Sequence, residues 1–152
     1  MSTTLDVIIL DDDQQVAELL ENILKRFYVE GSIYSFRDIN EAKTFCFNRE
    51  GSLAIFILDF YLGEFTAFDF LSSIRVHYPM APHDTVIITG RADDKIVDIC
   101  VAGEIHCLLE KPIENFALRF AIQSIVSKYH GFAKKLWEDT AFARDVKRIS
   151  GI

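Results

Sequence analysis

The 152-residue sequence predicts a doubly wound α/β fold: a five-stranded parallel sheet with five flanking helices, followed by a helical tail. Two observations carry this expectation. Short apolar, largely β-branched runs alternate with stretches whose apolar residues recur at helical spacing, as in βα units around a buried parallel sheet. The runs also end on polar groups. Val7-Ile8-Ile9-Leu10 precedes Asp11-Asp12-Asp13, Ile55-Phe56-Ile57-Leu58 precedes Asp59, Val86-Ile87-Ile88 precedes Thr89, and Cys107-Leu108-Leu109-Glu110 precedes Lys111. Ligand chemistry in open α/β sheets sits beyond the carboxyl ends of the strands. The sequence therefore places carboxylates, a hydroxyl and an ammonium along one edge, a set suited to a metal-bound phosphoryl group.

The elements follow in order. After the first strand, Val16, Leu19, Leu20, Ile23, Leu24 and Phe27 share a helical face, with Asp13 as N-cap and Gly31 as the stop. Ser32 to Phe36 forms the second strand, and Asp38 with Glu41 reads as a capping box for a helix through Ala42, Phe45 and Cys46. The third strand ends at Asp59. Thr66 and Asp69 open a helix carrying Ala67, Phe70, Leu71, Ile74 and Tyr78, which Pro79 ends. Asp84 to Thr89 is the fourth strand. A helix holding Ile96, Ile99 and Cys100 follows and stops at Gly103. The fifth strand ends at Lys111, and Pro112 leads into a helix carrying Leu118, Ala121, Ile122, Ile125 and Tyr129.

Composition narrows the function classes. Half the residues are apolar and 13 are Phe, which excludes a disordered chain and supports one core-bearing domain. A net charge of −7 argues against direct nucleic-acid binding. No apolar run approaches the ~18 residues of a membrane span. The opening residues carry no basic region or cleavage signal, and Cys46, Cys100 and Cys107 form no Cys-x-x-Cys pair. They read as small buried hydrophobes of a reducing, cytoplasmic setting. His77, His83, His106 and His130 lack metal-ligand spacing.

Residues 1–130 read as the domain and 131–152 as an amphipathic tail, expected to be helical. The tail carries five basic and three acidic residues, a net of +2 against −9 for the rest. Phe132, Leu136, Trp137, Phe142, Val146 and Ile149 supply its apolar side. An extra helix packed on the domain, a partner-binding or dimerising helix and a truncated linker all fit. The tail is too short to be a DNA-binding domain.

These residues resemble a known family, the CheY-like receiver domains of bacterial two-component response regulators. The resemblance spans about residues 5–130. It rests on Leu10-Asp11-Asp12-Asp13, Leu58-Asp59 followed by Leu62, Ile88-Thr89-Gly90, and Leu109-Glu110-Lys111-Pro112. The intervals agree as well: Thr89 lies 30 residues and Lys111 52 residues after Asp59. Four motifs in order, each at a strand end, are specific where one alone is weak. The resemblance implies strand order 2-1-3-4-5. It also implies a Mg²⁺ site with Asp12 and Asp59 as direct ligands, Asp11 through water, and the Tyr61 carbonyl as a further ligand. Asp59 is then the phosphoryl acceptor, assisted by Thr89 and Lys111, with a cis bond before Pro112. The phosphodonor is a histidine kinase or histidine phosphotransfer protein, and the output is altered contact with a downstream protein. Direct binding of nucleic acid or membrane is not expected, and a homodimer is compatible with it. The chain is expected to be a switch, not a turnover enzyme.

Plainer readings stand beside these. An acidic triplet after a strand also suits a solvated helix start, which is all that Asp13 needs to be. A threonine ending a strand fits β-propensity, and most lysines are solvated. Crowded carboxylates repel, however, and a hard cation such as Mg²⁺ relieves that repulsion.

The sequence also departs from the family pattern. Gly63-Glu64 and Thr66-Ala67 replace the usual Pro-Gly and Asp-Gly. Leu108 stands where many receivers carry the Tyr or Phe that turns inward on activation; a leucine buried in both states, with repacking around Thr89, is expected instead. Arg91 and Tyr61 occupy positions that influence phosphoryl lifetime in receivers. Two rival classes remain. A haloacid-dehalogenase-type phosphatase fits Asp11-x-Asp13, but Gln15 and the lack of an acidic pair after Lys111 count against it. A pseudo-receiver that only binds partners is opposed by the complete acid set.

Overall fold

The computed structural model describes residues 4–150. Its main sheet contains β1 (Asp6–Leu10), β2 (Ile33–Phe36), β3 (Ala54–Asp59), β6 (Thr85–Thr89) and β7 (Cys107–Glu110). A small hairpin, β4 (Tyr61–Leu62) with β5 (Phe65–Thr66), interrupts the count. The five strands are parallel in the order β2-β1-β3-β6-β7, the order expected once the hairpin is set aside. The helices are α1 (Gln14–Lys25), α2 (Ile39–Asn48), α3 (Ala67–Ile74), α4 (Asp94–Ala102), α5 (Asn115–Glu138) and α6 (Thr140–Ser150).

Every residue of β1 and β3 is buried, because helices cover both faces of the sheet. Alternation along each strand divides the core in two. Ile8, Leu10, Phe56 and Leu58 pack with Phe70, Ile74 and Cys100 of α3 and α4. Val7, Ile9, Ile55 and Ile57 pack with Leu20 and Leu24 of α1 and Leu118 and Ile122 of α5. Burying each such side chain contributes roughly 1.5–3 kcal/mol.

Several boundaries differ from expectation for identifiable reasons. Helix α1 ends at Lys25, so Gly31 is not its stop. Gly31 instead admits close chain approach, since a Cβ there would lie 2.4 Å from the Leu5 carbonyl oxygen. Asp38 caps α2 by accepting from Asn40 N at 2.7 Å rather than through the expected exchange with Glu41. Thr66 N does donate to Asp69 Oδ2 at 2.7 Å, as a capping box requires. Helix α3 ends at Ile74, ahead of Pro79; Tyr78 is buried beyond it and its hydroxyl donates to the Cys46 carbonyl at 2.9 Å.

Asp84 is not part of the fourth sheet strand. It closes a 3-10 turn, Ala81–Asp84, and its buried carboxylate accepts from Lys128 and Tyr129 of α5. At the same end of the sheet, Arg49 Nε donates to Asp6 Oδ2 at 2.9 Å and Ser32 N donates to Asp6 Oδ1 at 2.9 Å. These two ion pairs tie α5 and the second βα unit to the end remote from the acid cluster. Cys46 and Cys100 are buried and Cys107 half-buried, all as free thiols. Burial pushes the Cys46 thiol up to about 11, so it stays protonated at neutral pH.

Helix α5 runs through Gly131 without a break to Glu138. Asp139 then turns the chain, accepting from Phe142 N at 3.0 Å, and α6 folds back on the end of α5. The Phe132 and Phe142 rings meet at 5.9 Å, while Trp137 stays exposed. Residues 151 and 152 of the tail lie outside the described residues. No helix of the described residues is long and apolar enough to cross a membrane.

Candidate functional site

The chain leaves β1 through Asp11 and Asp12 and enters α1 at Asp13, whose carboxylate accepts from Gln15 N at 2.9 Å. Asp13 is thus a helix cap. Asp11 turns inward: its Oδ1 accepts from Asp13 N at 2.9 Å, and the residue is only 1% exposed. Its Oδ2 is buried without a hydrogen-bond partner. Asp59 ends the neighbouring strand β3 and is also buried, while Asp12 is exposed. One carboxylate oxygen from each of Asp11, Asp12 and Asp59 lies within 4.8 Å of the others.

Lys111 follows β7, joined to Pro112 by a cis bond, and reaches across the strand ends. Its Nζ lies 3.2 Å from Asp59 Oδ2 and 3.4 Å from Asp11 Oδ2. Burial alone would lower the pKa of this ammonium, but Asp11 and Asp59 outweigh it and hold it above the ordinary lysine value. Desolvation dominates at Asp11 and pushes its pKa up to about 6; the Asp13 N–H and Lys111 pull it down, while Asp59 adds to the rise. One ammonium does not offset three carboxylates. The buried Oδ2 of Asp11, which makes no hydrogen bond and only shares the Lys111 ammonium at 3.4 Å, and the all-oxygen donor set fit a hard divalent cation.

The raised Asp11 pKa sets the sign of a pH effect. The folded state binds this proton more tightly than the unfolded chain. The resulting stabilisation is full below the ordinary carboxylate range, near pH 4, and is lost as pH rises through about 6. In metal-free buffer, Asp11→Asn should therefore be more stable than wild type above pH 6, by on the order of 2 kcal/mol, and show little advantage near pH 4. Urea unfolding midpoints across this range check it. A stability gap of the same size at both ends would contradict the assignment.

Thr89 is buried at the end of β6, between the acid cluster's strand and β7. Its hydroxyl donates to the Arg91 carbonyl at 3.2 Å, so in this arrangement it is engaged with its own loop. Its backbone carbonyl accepts from Lys111 N at 2.8 Å, which couples the two strand ends directly.

Tyr61 lies two residues past Asp59 in the hairpin, with its ring exposed against Phe60 at 4.7 Å. The turn uses Gly63-Glu64, with Gly63 at φ +65°, the first-position glycine of a tight II′-type hairpin. Leu108 is half-buried against the core on the α3–α4 side, not fully buried as expected, because β7 is an edge strand. Glu110, rather than the expected Lys111, is the last residue of the fifth sheet strand. Its exposed carboxylate in fact accepts from Ala92 N at 2.7 Å, a contact 18 residues apart that no local pattern announces.

Comparisons with known proteins bear on the fold and the family. Comparison with curated protein sequences returns no match. Among solved structures, a response regulator receiver domain protein from Clostridium thermocellum superposes with a TM-score of 0.72 at 16% identity, covering 84% of this chain and 98% of that one. The signal receiver domain of an HD domain-containing protein from Pseudomonas fluorescens Pf-5 gives 0.71 at 21% identity, covering 85% and 99%. The Vibrio cholerae chemotaxis protein CheY4 gives 0.68 at 18% identity, covering 80% and 98%. At these identities the likeness shows the fold alone. The family profile for the response regulator receiver domain matches residues 7–123, from β1 into α5. Because that match takes in Asp11, Asp59, Thr89 and Lys111 and most of the chain, the protein belongs to the response regulator receiver domain family.

Proposed function

We propose that this protein is a phosphoryl-accepting signalling switch in which Asp59 is the acceptor, in a Mg²⁺-dependent reaction. The observation that carries the reading is the position of Asp59: its carboxylate is 3.2 Å from the Lys111 ammonium and grouped with Asp11 and Asp12 at the carboxyl edge of the sheet. Asp12 and Asp59 would hold the cation directly, Asp11 through water, and the Tyr61 carbonyl would complete the protein's share. When bound, the cation neutralises charge on the phosphoryl oxygens.

The remaining work falls to side chains of this chain. An Asp59 carboxylate oxygen forms the bond to phosphorus as the donor's P–N bond breaks, and the imidazole of the phosphohistidine leaves with the electron pair. Lys111 is placed to balance the charge gathering at the acceptor. The Thr89 hydroxyl would turn from the Arg91 carbonyl to donate to a phosphoryl oxygen, transmitting the event to the segment between β6 and α4. The donor would be a histidine kinase or histidine phosphotransfer protein, the output a changed protein–protein contact, and no external substrate would be turned over.

Incubation with a small phosphodonor, with Mg²⁺ or with chelator, tests the reading. Stable, Mg²⁺-dependent incorporation into the chain is expected. Absence of incorporation would favour a partner-binding module without phosphorylation, and turnover of an added phosphoester would favour a phosphatase.

A further inference from the structure

The segment joining β6 to α4 is fixed at both ends. Thr89 is held in the sheet, with its carbonyl accepting from Lys111 N at 2.8 Å. Asp93 caps α4 by accepting from Ile96 N at 2.9 Å. Between them, side chains of two residues hold the chain. One is local: the Thr89 hydroxyl donates to the Arg91 carbonyl at 3.2 Å and accepts from Arg91 N at 3.4 Å. The other comes from the neighbouring strand, where Glu110 Oε2 accepts from Ala92 N at 2.7 Å.

The Lys111 N–H holds the Thr89 carbonyl at the end of β6 while its hydroxyl is engaged with the loop. Reorienting Thr89 toward Asp59 requires the hydroxyl to leave the Arg91 carbonyl. Once it has left, the charge-assisted contact to Glu110 is what keeps residues 90–92 in the observed arrangement. The end of β7 thus serves two purposes on opposite sides: Lys111 points to the carboxylates, and Glu110 points to the loop.

We propose that Glu110 is a positioning residue that latches the 90–92 segment in its resting arrangement and so sets how readily Thr89 turns toward the acceptor. This rests on the reading of Asp59 as the phosphoryl acceptor. A protein with two arrangements responds to whatever binds one of them better, and a contact present in only one sets the starting population. Removing the Glu110 contact should shift the loop toward the arrangement that accepts the phosphoryl group or its beryllofluoride mimic. Glu110 touches no reacting atom, so its effect would pass entirely through the loop.

The test uses the full chain with Glu110→Ala, Glu110→Asp and Glu110→Gln. Alanine removes the acceptor, aspartate keeps the charge but falls a methylene short, and glutamine keeps an acceptor without the charge. Three readouts apply: hydrogen exchange at the Ala92 amide, Mg²⁺-dependent beryllofluoride affinity, and the labelling rate with a small phosphodonor. Urea unfolding checks that each variant keeps the fold.

Glu110→Ala and Glu110→Asp should both speed Ala92 exchange and raise labelling rate and beryllofluoride affinity by at least about fivefold, with Glu110→Gln between them and wild type. Faster Ala92 exchange with unchanged labelling and affinity would overturn the latch. Acceleration in the two neutral variants but not in Glu110→Asp would also overturn it, since charge at the site would then be the cause. A wild-type chain that takes up no phosphoryl group would overturn the reading of Asp59 and the latch with it, whereas normal wild-type labelling with unresponsive variants would overturn the latch alone.

Discussion

Replacing Asp12 by alanine is expected to reduce Mg²⁺-dependent phosphorylation by about two orders of magnitude or more while leaving the fold intact. Asp12 is exposed in the turn between β1 and α1, outside both halves of the core, so its loss removes no packing. It does remove one of three carboxylates whose oxygens lie within 4.8 Å of each other. Without cation, that removal relieves repulsion, so the metal-free variant should unfold at the same or higher urea concentration than wild type. On the proposed ligand set the variant also lacks a cation ligand, so Mg²⁺ should stabilise it less than it stabilises the wild type. Opposite effects on metal-free stability and on phosphorylation distinguish a cation site from a merely solvated acidic turn. An Asp12→Ala variant labelled as fast as wild type in Mg²⁺ would contradict the site.

Lys111→Ala should behave differently. The substitution leaves Asp59 and Asp11 without the ammonium now 3.2 and 3.4 Å away. The Lys111 side chain is partly exposed, so solvent screening lowers the penalty below that of a fully buried pair, to about 1–3 kcal/mol. The Asp11 pKa should rise further, since one of the influences that lowers it is gone. On the proposed function, the phosphoryl group should still reach Asp59 with Mg²⁺ present, but without the ammonium to draw its charge toward residue 111, whose backbone N–H stays bonded to the Thr89 carbonyl. Amide chemical-shift changes of residues 90–93 on beryllofluoride addition should accordingly fall well below those of wild type. Equal changes in the two proteins would show that the loop responds without Lys111.

The sequence made the sheet legible because its central strands are buried on both faces. Val7–Leu10 and Ile55–Leu58 have no solvent-facing positions, so nothing polar interrupts them until the chain emerges at the functional edge. The same physics made the first polar residue after each strand conspicuous, and the structure brings Asp11, Asp12, Asp59 and Lys111 together there. Contacts between distant segments were not legible. The Asp84 carboxylate meets Lys128 and Tyr129, His83 Nδ1 sits 3.0 Å from His106 Nε2, and Glu110 meets Ala92 only because the sheet juxtaposes them. A glycine that serves packing mimics a helix stop: Gly31 makes room for the Leu5 carbonyl, while α1 ends six residues earlier at Lys25. The continuity of α5 through Gly131 was hidden as well. An exposed glycine costs a helix only about 1 kcal/mol, which neighbouring good helix formers absorb.

The most direct measurement is to locate the phosphoryl group. Wild-type protein, treated with a small phosphodonor and Mg²⁺, is digested and its modified peptide sequenced by mass spectrometry, beside Asp59→Asn. The substitution keeps the size of the side chain and removes the nucleophilic carboxylate. The expected result is a single hydroxylamine-sensitive phosphoryl group on Asp59 of the wild type, and none at that position in the variant. A hydroxylamine-sensitive phosphate retained at wild-type stoichiometry in Asp59→Asn, or one mapped to another residue of the wild type, would contradict Asp59 as the acceptor.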